Sequence, residues 1–422
     1  MQKLLQVFKI PELRDKIFKV VLLLGLFRVL AAIPIPGIDI SRLGEFFASN
    51  ELFGFLNLFS GGGLSNLSIV MLGVGPYITA VIVMQLLTIV FPQLKKAYYE
   101  EGAEGRAKFN RYSRYLTVPF AFIQGYGFLN LLISQGAISP MPLTEMLTNV
   151  FIITGGSVLL TWIGELITEY NIGNGISILI FAGIVAILPS AMFSSLASYT
   201  SAQLPTYISF ILLSIVVIAG VTFVNEGERK VPVSYAKQVR GNKMYGGASS
   251  YLPIRVNQAG VIPIIFAISV LLFPQFFAQI ATLFSADFGA TVNNFVMGFF
   301  NNIYLYSLAY FFLVVVFTYF YTAVTFDPDE ISKNLQRNGG FIPGIRPGKH
   351  TTEVLKKIVN RITFSGAIFL GLVAILPNVS QIATGIQTFA IGGAGLLIVV
   401  AVALEVMKKV DSQLVMREYE GI

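Results

Sequence analysis

Apolar runs close to membrane-spanning length recur at about 17–35, 69–91, 115–134, 147–168, 176–196, 205–224, 258–283, 302–325, 358–377 and 385–407. A helix needs roughly 20 apolar residues to cross a bilayer, so the pattern predicts ten transmembrane helices. The run at 176–196 follows its predecessor after only a short polar link, Glu169 to Gly175. One apolar stretch fails the length test. Leu52–Phe59 is about two helical turns long and ends at Gly61-Gly62-Gly63, which breaks a helix. The span after it carries Gly73, Gly75 and Pro76 near its start and Gln85 near its middle. A half-helix, a glycine hinge and a loosened first turn fit two readings. One is a segment that moves inside a protein-lined cavity, and the other is a re-entrant loop that fills space. Irregular backbone at membrane depth is tolerated only where protein or water covers it.

The placement of charge gives orientation. Basic residues crowd 3–16, 95–114, 229–255, 333–361 and 408–417, whereas the alternate links, 36–68, 135–146, 197–204, 284–301 and 378–384, hold only Arg42. By the positive-inside rule both termini and all basic loops face the cytoplasm. An even span count agrees. Five spans on each side of the 197–204 link make two halves, 1–200 and 201–422, that begin on opposite sides of the membrane. Equal halves of opposite orientation are the pattern of an inverted repeat, with a functional path at their interface.

Composition sharpens this. The 422 residues are 55% hydrophobic and 12% charged, with mean hydropathy +0.73. Soluble proteins carry about 25% charged residues, so the chain is an all-α polytopic membrane protein. There is no cysteine, which excludes disulfides, thiolate metal sites and a thiol nucleophile. The N-terminus has basic residues before an apolar run but lacks a small-residue cleavage pattern, and Arg28 interrupts it. It is expected to be a retained first span.

Two cytoplasmic loops carry turn chemistry that positive-inside charge does not explain. Within 225–255, Lys230 to Tyr235 alternate in strand fashion and Arg240-Gly241-Asn242 makes a turn, which predicts a β-hairpin. Within 326–357, Gly339 to Gly348 is dense in glycine and proline, with Arg346 at the tip. Two structured basic loops on one face suggest a docking platform.

Enzyme signatures are missing. His350 is the single histidine, so a histidine metal site or triad has no second member. Pro343 to His350 imitates a phosphate-binding loop, but proline stands at the first glycine position and histidine replaces the Ser or Thr after the lysine. ATP-driven work would come from a partner. No cofactor or metal is expected. Arg28, in the first span, carries an insertion cost of at least ~2.5 kcal/mol and is read as structurally paired inside the bundle. Gln85, Gln124, Asn257 and Gln258 are neutral. Glu165, Glu169 and Glu405 all lie near cytoplasmic ends, which argues against ion-coupled transport. Three functions compete on these grounds: a protein-conducting channel, a small-solute secondary transporter with inverted repeats, and a carboxylate-dependent membrane enzyme.

The motifs Ile33–Asp39 (IPIPGID), Leu58–Gly62 (LFSGG), Pro76-Tyr77-Ile78, Glu104–Arg106 (EGR), Gly173–Gly183 (GNGISILIFAG), Asn257–Pro263 (NQAGVIP), Phe341–Gly348 (FIPGIRPG) and Gly395–Val400 (GLLIVV) resemble the family of SecY, the channel subunit of the bacterial Sec translocon. The resemblance runs over nearly the whole chain. It implies ten spans in two pseudo-symmetric inverted halves around an hourglass pore. It implies a plug helix at about Leu52–Leu64, with Leu52, Phe53, Phe55, Leu56, Leu58 and Phe59 as its apolar residues. The pore ring would be Val74, Ile78, Ile176, Ile180, Ile265 and Ile398, with Val74 standing where isoleucine is more usual. Thr79, Gln85 and Asn257 would be polar residues of a lateral gate between spans two/three and seven/eight. Arg240, Arg346 and Lys349 would meet a motor or ribosome. The implied partners are SecE and SecG subunits, the SecA ATPase, the ribosome, a secretory preprotein with its signal sequence, and the lipid bilayer. The implied setting is the bacterial plasma membrane.

Overall fold

The computed structural model describes residues 10–38, 57, 60–99, 101–134, 136–197, 204–235, 238–240, 243–245, 249–258, 260–384 and 387–419. All six expected plug residues lie outside the described residues. A helix covers each of the ten apolar runs: α1 (Pro11–Ala32), α2 (Gly75–Val90), α4 (Gly102–Ser134), α5 (Leu143–Glu169), α6 (Gly175–Ala197), α7 (Leu204–Glu226), α8 (Ile262–Phe284), α10 (Ile303–Thr325), α12 (Lys349–Thr384) and α13 (Gln387–Tyr419). Among the described residues five helices are long and apolar enough to cross a bilayer, or six if α2 and the following α3 (Pro92–Tyr99) count as one bent span. Two shorter helices, α9 (Ala286–Asn301) and α11 (Pro328–Arg337), also occur among the described residues. Large apolar side chains such as Phe18, Trp162 and Phe223 stand exposed on these helices, as suits a surface that meets lipid.

Chain chemistry sets the boundaries. The second span was expected to begin as helix at Ile69. The helix instead begins at Gly75 with Pro76 in its first turn, and residues 69–74 form turns. Proline suits a first helical turn because its missing N–H has no partner there. Gly73, at φ +57°, holds the left-handed conformation that ends the preceding turn. At Phe91-Pro92 the chain bends by 107° into α3. Asn302 caps α10 by accepting from the amides of Tyr304 and Leu305, each at 3.2 Å.

Packing divides the helices into two groups. In the first, α1 packs on α5 and α6, and α4 packs on α2 and α5. In the second, α8, α10, α12 and α13 pack in succession, and α7 lies on α13. The groups meet along two seams, α8 against α2 and α4, and α13 against α6.

The two long basic loops fold as one unit. Strand β1 (Glu228–Tyr235) pairs antiparallel with β4 (Ser249–Arg255), from Glu228 opposite Arg255 to Ser234 opposite Ser249. A smaller ribbon, β2 (Gln238–Arg240) with β3 (Lys243–Tyr245), caps the hairpin. From the other loop, β5 (Gly340–Phe341) adds to the free edge of β1. Val231 and Ile254 pack beneath this sheet on Ile342, Leu355 and Val359.

Candidate pore and its flanking seams

Five of the six expected ring residues are buried: Val74, Ile78, Ile180, Ile265 and Ile398. Ile176 is partly buried, and all six belong to one apolar cluster. They come from four helices and the turn before α2, so no single element supplies the expected ring. Val74 ends the turn before α2, and Ile78 lies one turn into that helix. Ile176 and Ile180 share a face of α6 at the i, i+4 spacing. Ile265 lies near the start of α8, and Ile398 comes from α13. A ring of apolar side chains in a narrow path excludes water.

Two cavities lie in this region. The first, about 570 Å³, is lined by the apolar Ile78, Ile176 and Ile265 and by the charged Arg111, Arg114, Glu165 and Glu169, among others. Arg114 Nη1 donates to Glu165 Oε2 at 3.0 Å, a pair between α4 and α5 that the sequence reading missed. The second cavity, about 490 Å³, is lined by Asn225, Arg255, Asn257, Glu405 and Lys408, among others. Lys408 pairs with Glu226 at 2.9 Å across the α7–α13 contact.

The expected gate residues are not joined to one another. Thr79 is buried and its hydroxyl accepts from Gln124 Nε2 at 3.2 Å, a bond from α4 to α2. Asn257 Nδ2 donates to Asn225 Oδ1 at 2.7 Å and to the Gly260 carbonyl at 3.1 Å. Both bonds therefore lie within one helix group, and neither crosses the α8 seam. Among the described residues Gln85 and Asn257 each retain a buried side-chain oxygen without a hydrogen-bond partner, and each lines one of the two cavities. Asn225 carried no signal in the sequence beyond being an asparagine at a helix end.

In the second basic loop Arg346 and Lys349 are exposed. Their turn is rigid. Gly344 and Gly348 sit at φ +80° and +97°, Thr351 Oγ1 donates to the Arg346 carbonyl at 3.0 Å, and Ser332 Oγ donates to the Gly348 carbonyl at 2.9 Å. Arg240 ends β2 opposite Lys243. No cluster of histidine, cysteine or carboxylate able to hold a metal occurs among the described residues.

The SecY family model matches residues 68–407. The chain belongs to the SecY family. Protein translocase subunit SecY of Streptomyces galbus is 41% identical over 98% of both chains, and that of Mycobacterium leprae is 40% identical over 97% of both. SecY of Mycobacterium tuberculosis is 39% identical over 97% of both chains. A solved protein-conducting channel superposes with a TM-score of 0.62 at 18% identity, covering 93% of this chain and 90% of that one. A SecY structure concerned with a plug domain that maintains a membrane seal gives 0.61 at 19% identity over the same shares. Canine Sec61 in a ribosome-channel complex gives 0.60 at 18% identity, again over 93% and 90%. At these identities the structural likenesses speak for the fold. The SecY relatives cover nearly all of this chain, so it is a protein translocase subunit, a membrane channel and not an enzyme.

Proposed function

We propose that the chain conducts unfolded secretory polypeptides through the ring and releases membrane segments sideways through the α8 seam. The observation that supports this reading is that six β-branched side chains from the turn before α2 and four helices all join the main apolar cluster, and three of them, Ile78, Ile176 and Ile265, line a cavity that also holds charged residues. Such a ring can widen around any sequence, because its contacts are non-directional and no hydrogen bond has to break. Ten spans in two inverted halves, with both termini in the cytoplasm, follow from the apolar runs and the basic loops. The 52–64 segment is assigned as a plug on the outer side. The seam between α2/α4 and α8/α10 is assigned as the lateral gate, with Thr79, Gln85 and Asn257 near it. The sheet and arginine turn would dock a motor of SecA type or a ribosome. SecE and SecG are the expected companion subunits, and the bacterial plasma membrane is the expected location.

The test is single-channel conductance of purified protein in planar bilayers without motor or substrate. Parent protein should be silent, and Ile78→Ser with Ile180→Ser should conduct. If the double variant is as silent as the parent, the constriction lies elsewhere.

A further inference from the structure

Among the described residues Arg28 is in no salt bridge. It lies four residues before the end of α1, and its Nη1 donates to the carbonyl oxygen of Gly61. A guanidinium bonded to a carbonyl is a charge-assisted contact, stronger than a neutral one. Gly61 also sits against α1 and α6 so closely that a Cβ there would stand 2.6 Å from Phe27 Cζ and 3.0 Å from the Gly183 Cα.

The triple glycine is therefore not a loose swivel. Ser60 and Leu64 are each 1% exposed. The Gly62 amide donates to Asn57 O at 2.9 Å, the Gly63 amide to Ser60 O at 3.2 Å, and the Ser68 amide to Gly63 O at 2.7 Å. Ser60 Oγ accepts from the Leu64 amide at 3.0 Å. A Cβ on Gly63 would meet Ser68 Oγ at 2.7 Å. Beyond the turn, the Ile35 amide donates to Leu67 O at 2.8 Å and the Ile69 amide to Ile33 O at 3.0 Å. The stretch from Ser60 to Val74 is thus fastened at two points: Arg28 in α1 holds Gly61, and residues 33–35, just past the end of α1, hold Leu67 and Ile69 in mid-stretch. It ends at Val74, a ring residue.

We propose that Arg28 is a positioning residue of the channel: it locks the Ser60–Val74 stretch against α1 and thereby holds the ring closed from the outer side. The part concerning closure rests on the reading of the ring as the seal. The lock itself does not. Opening the outer side requires the guanidinium to leave the Gly61 carbonyl, and the glycines serve close packing in the locked state.

The absence of cysteine gives a clean reporter. Ser60→Cys places one thiol in the buried turn, and a membrane-impermeant maleimide added from the outer side labels it only when the turn leaves its seat. Arg28→Met in this background should raise the labelling rate about tenfold, the shift expected when one hydrogen bond to a charged group is lost. It should also raise resting conductance. Arg28→Gln, which keeps a polar end without charge, should label as fast as Arg28→Met and covers the case in which methionine lowers yield. Unchanged labelling in both variants overturns the proposal and leaves Arg28 as an anchor at the membrane surface. Faster labelling with silent conductance keeps the lock. If Ile78→Ser with Ile180→Ser is silent as well, the failure belongs to the seal reading.

Discussion

The candidate ring and the sheet of the basic loops both rest on apolar packing, yet they are built on opposite principles. The candidate ring draws Val74, Ile78, Ile180, Ile265 and Ile398 from separate elements into the main apolar cluster. The sheet packs Val231, Ile254, Ile342 and Leu355 under strands paired residue by residue, beside a turn that holds Gly344 and Gly348 in the left-handed region. Dispersion and burial do not specify direction, so the ring can change diameter while keeping its chemistry. Strand pairing and left-handed turns do specify direction, so the sheet presents Arg346 in one geometry. A pore that passes many sequences needs the first property, and a docking site needs the second.

The largest expected effect separates the two by charge. Arg346→Glu reverses an exposed side chain on a rigid turn, where a guanidinium fork would meet carboxylates or carbonyls of a partner. Motor-driven translocation in reconstituted vesicles should fall to background, while the variant inserts, folds and stays electrically silent. Normal translocation in that variant removes the docking role.

Next in size is the ring itself. Ile78→Ser with Ile180→Ser places hydroxyls in a dry constriction, and water then has partners there. Resting conductance should rise on the order of tenfold in planar bilayers, and translocation should persist because no directional contact is lost. A variant that stays silent but stops translocating would reverse the comparison, since the ring would then be a specific site and not an adaptable seal.

The legibility of the sequence follows the same division. The apolar runs marked the helices, and the alternation of Val231 and Val233 marked β1. Gly73 and Pro76 marked a loosened first turn in the second span, and the helix starts later than the apolar run, at Gly75. None of these needs knowledge of distant residues. The addition of β5 to β1 joins residues about a hundred positions apart, and neither strand announces its partner. The ring residues were placed by family resemblance, because an isoleucine in a membrane helix looks the same in a pore as in a core. Arg28 was expected to be paired inside the bundle, but its partner is a backbone carbonyl, which has no sequence signature. Thr79 and Asn257 were legible as polar residues in apolar spans. Their choice of Gln124 and Asn225, within their own helix groups, depends on how those groups pack.

A smaller effect tests the rigidity of the docking turn. An added Cβ on Gly344 would meet nothing within 4 Å, and the residue sits at φ +80°, so Gly344→Ala introduces backbone strain without a clash. A left-handed L-residue costs roughly 1–2 kcal/mol. Protease should cut the cytoplasmic loops sooner, and translocation should fall several-fold, with resting conductance unchanged. Translocation equal to the parent would mean that the turn tolerates motion and that docking reads charge alone.

The smallest expected effect lies on the α8 seam, between the two regimes. Gln85 is buried, and its Oε1 has no hydrogen-bond partner among the described residues. A buried unpaired acceptor costs about 1–3 kcal/mol, and the cost disappears when the seam parts and water or a substrate amide reaches it. The orphan oxygen therefore raises the energy of the closed seam and not of the open one. Gln85→Leu keeps the size of the side chain and removes that oxygen, so the closed seam becomes the more stable form. By the lower figure the shift is about fivefold in the open–closed ratio. Substrates with weakly hydrophobic signals, which have the least energy to part the seam, should be exported about fivefold more slowly, while strong signals pass nearly as before. Faster export of weak signals would show that the glutamine holds the seam shut by a bond to its far side, and that the gate is stitched as the sheet is and not merely packed as the ring is.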